Sequence, residues 1–359
     1  MAVVGNTSVI MAKRIGYIDI AKGIGILLVV MGHNDFFTSI PFLRQFIYSF
    51  HLPLFFFLSG VFFNPAGDLI GLITKKFHSL LKPYLITLLL IFFFSVSFTK
   101  INILDSTARL VKSLYSTGYY LDWVPLWFLP HLFVLNIFTW GVFFFTKNVR
   151  LPKKGQLVLI TVLLVTGLIF ISQFWPFQIT VLGKSLKLYG LPFSIDLILI
   201  SSFYFILGKL SNGPWLEKLI SSKITLLCSF VILLGSIYFM PLMLDLASRI
   251  AASIIPIVIA SLAGIILILS LSKSIEIIPF FGEPLKLIGN LTLFILLFHL
   301  PIQEAWGDKI MNVTNNRIIA AFVSYVFGVG IPILIGQYAI IPNAYLRSLF
   351  MEQKQDPSK

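Results

Sequence analysis

Charge is what this sequence has least of. Only 11% of its 359 residues are Asp, Glu, Lys or Arg, against 58% hydrophobic, where a soluble domain is normally about 25% charged. With a mean hydropathy of +0.96, that shortage excludes a water-soluble fold. Cysteine is nearly absent as well. Cys228 alone, inside an apolar run, excludes an intramolecular disulfide and a CxxC metal or redox site, and it reads as a packing residue. Acids number 14 against 27 bases, for a net charge of +13. In a soluble chain that excess would point to nucleic acid; here it reads as retention of loops on the inner side of a membrane, with no nucleic-acid partner. No repeat of 20–50 residues is visible, no soluble domain is expected beside the membrane part, and only the closing MEQKQDPSK has the composition of a disordered tail.

Long apolar runs fill the space that charge leaves. Stretches of about twenty residues, the length that crosses a bilayer core, occur near 15–34, 45–63, 80–99, 126–146, 156–173, 192–211, 223–242, 247–271, 286–301 and 318–341. Backbone in hydrocarbon must satisfy its own hydrogen bonds, so these runs are expected to be helices. Barrel strands would be shorter and would alternate apolar with polar. The expected fold is therefore all-α, a polytopic bundle of about ten transmembrane helices. Lys13 and Arg14 before the first run resemble the start of a signal peptide. Asp19 and Lys22 interrupt that run and no A-x-A site follows, so it is expected to stay attached as the first span.

Orientation follows from the bases in alternate connections. The N-terminus, the even-numbered loops and the tail carry 17 Lys and Arg, the opposite set carries nine, and Lys22 lies within the first span. That asymmetry expects both termini in the cytoplasm. The organisation expected is a cytoplasmic segment at 1–14, a membrane domain at 15–341 and a cytoplasmic tail at 342–359. The longest outward loop, roughly 100–125, holds Tyr115, Tyr119, Tyr120, Asp122 and Trp123. These read as an interfacial aromatic belt or as a sugar platform.

Ionisable groups in a span cost about 2.5–3.5 kcal/mol each near its centre, so they mark function unless something else explains them. The first run holds Asp19, Lys22 and His33. At about 100° per residue, Lys22 and His33 fall within about 20° of one face and Asp19 within about 40°, and the helical rise separates Lys22 from His33 by roughly 16 Å. All three are expected to face one cleft. The plainer reading is that Lys22 snorkels to the interface and pairs with Asp19 three positions away. Gly32, His33, Asn34 and Asp35 combine a titratable base with orienting partners.

The second run, FIYSFHLPLFFFLSGVFF, places His51 before the kinking Pro53, and Ser59 with Gly60 on a small face that another helix can approach. Trp127 and His131 flank Pro130 in the fourth run. Asn290 and His299 stand at the inward and outward ends of the ninth, with Glu304 beyond. His78, among Lys75, Lys76 and Lys82, falls in a cytoplasmic loop on this reading. No HxxxH or HxH pair occurs, so no metal is expected.

In order and spacing, RIGYIDIAKGIGILLVVMGHN, SFHLPLFFFLSGVFF, LWFLPHLF, YFILGK and GNLTLFILLFHLP resemble the acyltransferase-3 family, and within it the fucose 4-O-acetylase-like branch. The family's basic residue, ten intervening positions and histidine are met by Lys22 and His33, and its Asp by Asp19. The resemblance implies an O-acetyltransferase in the cytoplasmic (inner) membrane of a bacterium. It would move an acyl group, usually acetyl, from cytoplasmic acetyl-CoA to a hydroxyl of a surface polysaccharide or lipid-linked glycan. Some members carry an extracytoplasmic hydrolase-like domain; the chain ends soon after its tenth run, so direct action or a separate extracytoplasmic transferase partner is expected. The family's double arginine is replaced here by Lys75, Lys76 and Lys82, point charges where Arg offers a planar fork.

The expected site has His33 as general base with Asp19 or Asp35 orienting it. Lys22, Arg14, Lys75, Lys76 and Lys82 would hold the CoA phosphates. His51, Ser59, Trp127, His131, Asn290 and His299 would contact substrate, and Asn34, His51 or Ser59 would stabilise the oxyanion. An acyl-histidine intermediate is the competing chemistry. A polysaccharide exporter or flippase is the alternative function, because polar residues within spans also line translocation paths.

Overall fold

The computed structural model describes residues 15–98, 101–181 and 183–352. The chain begins with α1 (Gly16–Gly32), a short α2 (Asp35–Thr38) and α3 (Pro41–Val61). Next comes α4 (Leu69–Lys76), which a π turn at Phe77–Leu81 joins to α5 (Lys82–Phe98). After α6 (Ile103–Ser113) come α7 (Phe128–Asn148), α8 (Lys153–Phe170) and a hairpin of β1 (Phe177–Val181) with β2 (Lys184–Leu188). Then follow α9 (Ile198–Ser211), α10 (Pro214–Ile220), α11 (Lys223–Phe239) and a second hairpin of β3 (Met243–Asp245) with β4 (Ile250–Ala252). The last part holds α12 (Ile254–Ile275), α13 (Pro279–Asn290), α14 (Thr292–Thr314), α15 (Arg317–Leu334) with a π turn at Ile335–Ile340, and α16 (Ala344–Phe350).

Each apolar run overlaps one of these helices. By length and composition, six helical segments can cross a membrane: Leu69–Phe98, Val124–Asn148, Lys153–Phe170, Pro192–Ser211, Ile254–Ile275 and Arg317–Ile340. Two bent pairs, α10 with α11 at 73° and α13 with α14 at 80°, raise the number to as many as eight among the described residues. α1 has 17 residues, and α3 is made less apolar by Arg44, Gln45 and His51. Large apolar side chains such as Phe93, Phe94, Phe230 and Phe322 face outward, a surface that water would not tolerate at this extent. The chain is thus a multi-pass membrane protein built as a helical bundle.

Close backbone approach organises the centre. A side chain on Gly60 of α3 would collide with the carbonyl of Phe205 in α9, and one on Gly208 of α9 with that of Phe57. Gly23 and Gly289 do the same for α1 against α13. Small residues let dispersion contacts accumulate where lipid removes the hydrophobic drive between helices. α1 packs on α3, α12, α13, α14 and α15, so its polar residues are placed among helices rather than against lipid.

The structure departs from the sequence reading in four places. The third run is the second half of the continuous helix Leu69–Phe98, so His78 lies in the π turn and not in a loop. The eighth run begins with the β3–β4 hairpin, and the ninth is broken at Leu291 between α13 and α14; the two hairpins are the exceptions to an all-α chain. Cys228 is exposed on α11, so it faces outward and is not a packing residue. The loop aromatics form a local cluster: Tyr119 stacks on Tyr189 at 3.6 Å, and the Tyr115 hydroxyl donates to Gly190 O at 2.9 Å.

An ion pair ties two connections together. Arg249 and Asp196 side chains are 0% and 1% exposed. Arg249 donates through Nε at 2.8 Å and Nη2 at 3.1 Å to the two Asp196 oxygens, and its guanidinium lies 4.6 Å over the Trp175 ring. The Asp196 Oδ1 atom also accepts from Leu191 N at 2.9 Å, so the buried charges are paired and hydrogen-bonded, the condition under which they persist.

Candidate functional site

The helices around α1 leave one large cavity of about 1320 Å³, above the roughly 300–1,000 Å³ that holds one small ligand. Its wall is a sequence of chemistries along α1. Lys22 lines one end, with Ser59 and Phe62 of α3, Lys76 of α4 and Ser79 of the π turn. An apolar and aromatic length follows, including Leu52, Phe55, Phe128, Leu132 and Leu296. His33, His51 and Trp127 stand beyond it, and the far end holds Asp35, Asp122, Asp245, Glu304 and Asp308 with Arg44 and Arg317. The two ends therefore differ in charge, lysines without a lining carboxylate at one and five carboxylates with two arginines at the other.

At the lysine end, Lys22 donates to Asp19 Oδ1 at 3.2 Å and its ammonium lies 4.9 Å over the Phe62 ring. Of the three polar residues in the first run, Lys22 and His33 line the cavity. Asp19 is 8% exposed and lies behind Lys22, so the expected common face holds for the pair eleven positions apart and not for Asp19. The reason is rotational, since Asp19 is the furthest of the three off that face.

His33 follows the last turn of α1, where its N–H caps Val29 and Val30 carbonyls. Among the described residues no hydrogen bond engages its ring, which sits 5.4 Å from the ring of His299. The neighbouring Asn34 caps α2 through its side-chain oxygen, while its amide nitrogen donates to Ser324 Oγ at 3.0 Å and Ala321 O at 3.2 Å. Both amide hydrogens are thereby spent, and Asn34 has no donor left for an oxyanion. Tyr48 donates to Gly32 O at 3.0 Å, satisfying a terminal carbonyl of α1, and its ring meets His51 edge-on at 5.1 Å. His51 Nδ1 lies 2.8 Å from Ile47 O. A carbonyl only accepts, so Nδ1 carries the proton and the neutral ring has its lone pair on Nε2.

The remaining sequence candidates divide. Asp35, Ser59, Lys76 and Trp127 line the cavity with His33, His51 and Lys22. Lys82 does not, because its ammonium donates to Ser348 O at 2.6 Å and Met351 O at 3.2 Å, closing the end of α16. Lys75 is exposed outside the cavity wall. His131 is fully buried, with Nε2 at 2.9 Å from Ser201 Oγ and Nδ1 at 3.4 Å from Phe193 O, and stands behind Trp127 at 5.4 Å. His299 likewise lies behind His33, 0% exposed. Asn290 is at the end of α13, outside the cavity wall, and Arg14 lies outside the described residues.

Several lining residues were not singled out from sequence: Arg44, Tyr48, Asp245, Gln303, Asp308 and Arg317. Arg44 and Tyr48 sit on α3, Gln303 and Asp308 on α14, Arg317 opens α15 and Asp245 ends β3, and only tertiary packing brings them to one cavity. Asp35 and Asp308 lie near Glu304, and Asp245, Arg44 and Asp35 lie around Tyr48. An acidic residue just past a span, as Glu304 is, was the one available signal. Among the described residues no group of three or more His, Cys, Asp or Glu is placed to hold a metal ion.

A family sequence model described as an acyltransferase domain matches residues 15–337, which covers every residue lining the cavity. No curated protein and no solved structure matches the chain.

Proposed function

Because the chain belongs to this acyltransferase family, acyltransferase-3, we propose that it is a membrane O-acetyltransferase of the fucose 4-O-acetylase-like kind. It carries acetyl from acetyl-CoA to a hydroxyl of a bacterial surface polysaccharide or its lipid-linked precursor. The reading includes ten spans in the inner membrane, with α1 and α3 crossing beside the eight segments above and both termini cytoplasmic, in keeping with the 17 to nine distribution of Lys and Arg.

The observation that carries it is the order of groups in one cavity: lysines, then an apolar length, then His33, then carboxylates. Lys22 and Lys76 meet the phosphates of CoA, anions that carboxylates would repel. The pantetheine arm follows the apolar wall over roughly 16 Å, the rise between residues 22 and 33, and the thioester stops at His33. The acceptor sugar enters between the carboxylates, which accept hydrogen bonds from hydroxyls.

Neutral His33 then takes the proton of the attacking hydroxyl as its oxygen bonds to the acyl carbon. The tetrahedral oxyanion collapses, the C–S bond breaks, and the thiolate leaves with the proton that His33 held. General-base catalysis of this kind contributes about 10²–10⁴ in rate. The indole N–H of Trp127, unused by any hydrogen bond among the described residues and on the cavity wall, is a donor available to the oxyanion. His51 Nε2 offers an acceptor to a second sugar hydroxyl. Asp19 is held by Lys22, and Asp35, lining the same mouth, offers an acceptor to a sugar hydroxyl.

The test is mass spectrometry of the host's surface glycan with and without the gene. Loss of one alkali-labile acetyl per repeat with normal polymer supports the enzyme. Loss of the polymer itself, or an unchanged glycan, contradicts it.

A further inference from the structure

We propose that His299 is a positioning residue that fixes the tautomer and orientation of the His33 ring; this rests on the reading of His33 as the base. His299 Nδ1 lies 2.7 Å from Ile295 O, one turn earlier in α14. The carbonyl can only accept, so Nδ1 bears the proton and Nε2 of the neutral ring is a lone pair. That Nε2 is buried without a hydrogen-bond partner, and a buried polar atom in this condition calls for an explanation.

His33 supplies one. The two rings are 5.4 Å apart and tilted by 52°. An N–H···N bond of about 2.9 Å between facing ring nitrogens gives a centroid separation of that order. The His33 ring is free of other hydrogen bonds among the described residues, so its N–H is available to His299 Nε2. The relation of the two helices is itself fastened: Gln303, one turn beyond His299, donates through Nε2 to Val30 O at 3.1 Å, joining α14 to the last turn of α1.

The bond would leave the second His33 nitrogen as a lone pair directed at the cavity. When that nitrogen takes the hydroxyl proton, the imidazolium donates more strongly to His299. His299 accepts the bond and not the proton, which stays on His33 until the thiolate takes it. An aligned neutral acceptor thus does what a carboxylate does in other base–orienter pairs, without placing another charge in the bilayer interior.

The experiment uses the full chain in inverted membrane vesicles with radiolabelled acetyl-CoA, reading label in the glycan fraction. His299→Leu fills the space without a polar atom, and the released His33 N–H, on the wall of the open cavity, turns to water there. It is expected to lower kcat on the order of 10²-fold while KM for acetyl-CoA and thermal stability hold. His299→Gln, which keeps an acceptor at similar reach, is expected to restore a substantial part of kcat. Near-normal kcat in His299→Leu, equal losses in both variants, or failure of His299→Leu to accumulate would overturn the assignment. His33→Ala run alongside separates the two readings. An active His33→Ala removes the base itself, whereas an inactive His33→Ala beside an active His299→Leu removes only the positioning role.

Discussion

Lys22 donates to Asp19 at 3.2 Å while 29% of its side chain remains exposed, so one ammonium makes a fold contact and still lines the cavity. The pair explains why a cation is stable in the first helix. On the proposed function, the exposed part of that ammonium is the charge that meets a phosphate.

Lys22→Gln removes that charge and keeps length. It is expected to raise KM for acetyl-CoA by about tenfold, the equivalent of roughly 1.4 kcal/mol, with kcat affected less. Asp19→Asn is expected to change KM far less. Steady-state kinetics on membrane vesicles checks both, and an unchanged KM in Lys22→Gln contradicts the donor end assigned here.

Gly60 and Gly208 set the distance between α3 and α9. Gly60→Leu drives a side chain into the Phe205 carbonyl and is expected to destabilise by several kcal/mol, beyond the 1–3 kcal/mol or so of ordinary overpacking. Gly67→Ala, where nothing lies within 4 Å, is the neutral control. Thermal unfolding in detergent reads the difference.

Arg249→Ala strands Asp196 in a closed environment, an outcome that costs about 3–5 kcal/mol. Arg249→Met combined with Asp196→Leu is expected to recover much of the stability, because both charges are gone. Thermal unfolding of the single and double variants measures the coupling, and additive losses would show that the pair does not act as a unit.

Topology is testable through Cys228, which is exposed and makes no disulfide. In a Cys228→Ser background, Ser185→Cys is expected to react with a membrane-impermeant maleimide in intact cells. Ser348→Cys is expected to react only after permeabilisation. The reverse pattern contradicts cytoplasmic termini.

The helices were legible because apolar runs of this length have few other fates, and the shared face of Lys22 and His33 followed from 100° per residue alone. Lys82 was not legible as a fold contact: its partners lie 266 and 269 positions away at the end of α16. Asp245 and Asp308 reach the cavity from a hairpin and from α14, which no local pattern connects. Burial hid His131 and His299 differently, because a histidine on an apolar helix reads the same whether it lines a cavity or supports a residue that does.

The most direct measurement is transfer by His33→Ala in vesicles, normalised to the protein accumulated in the membrane. The expected result is a fall on the order of 10²–10⁴-fold with accumulation and KM for acetyl-CoA unchanged. Transfer near the wild-type rate would contradict the role given to His33 and with it the proposed chemistry.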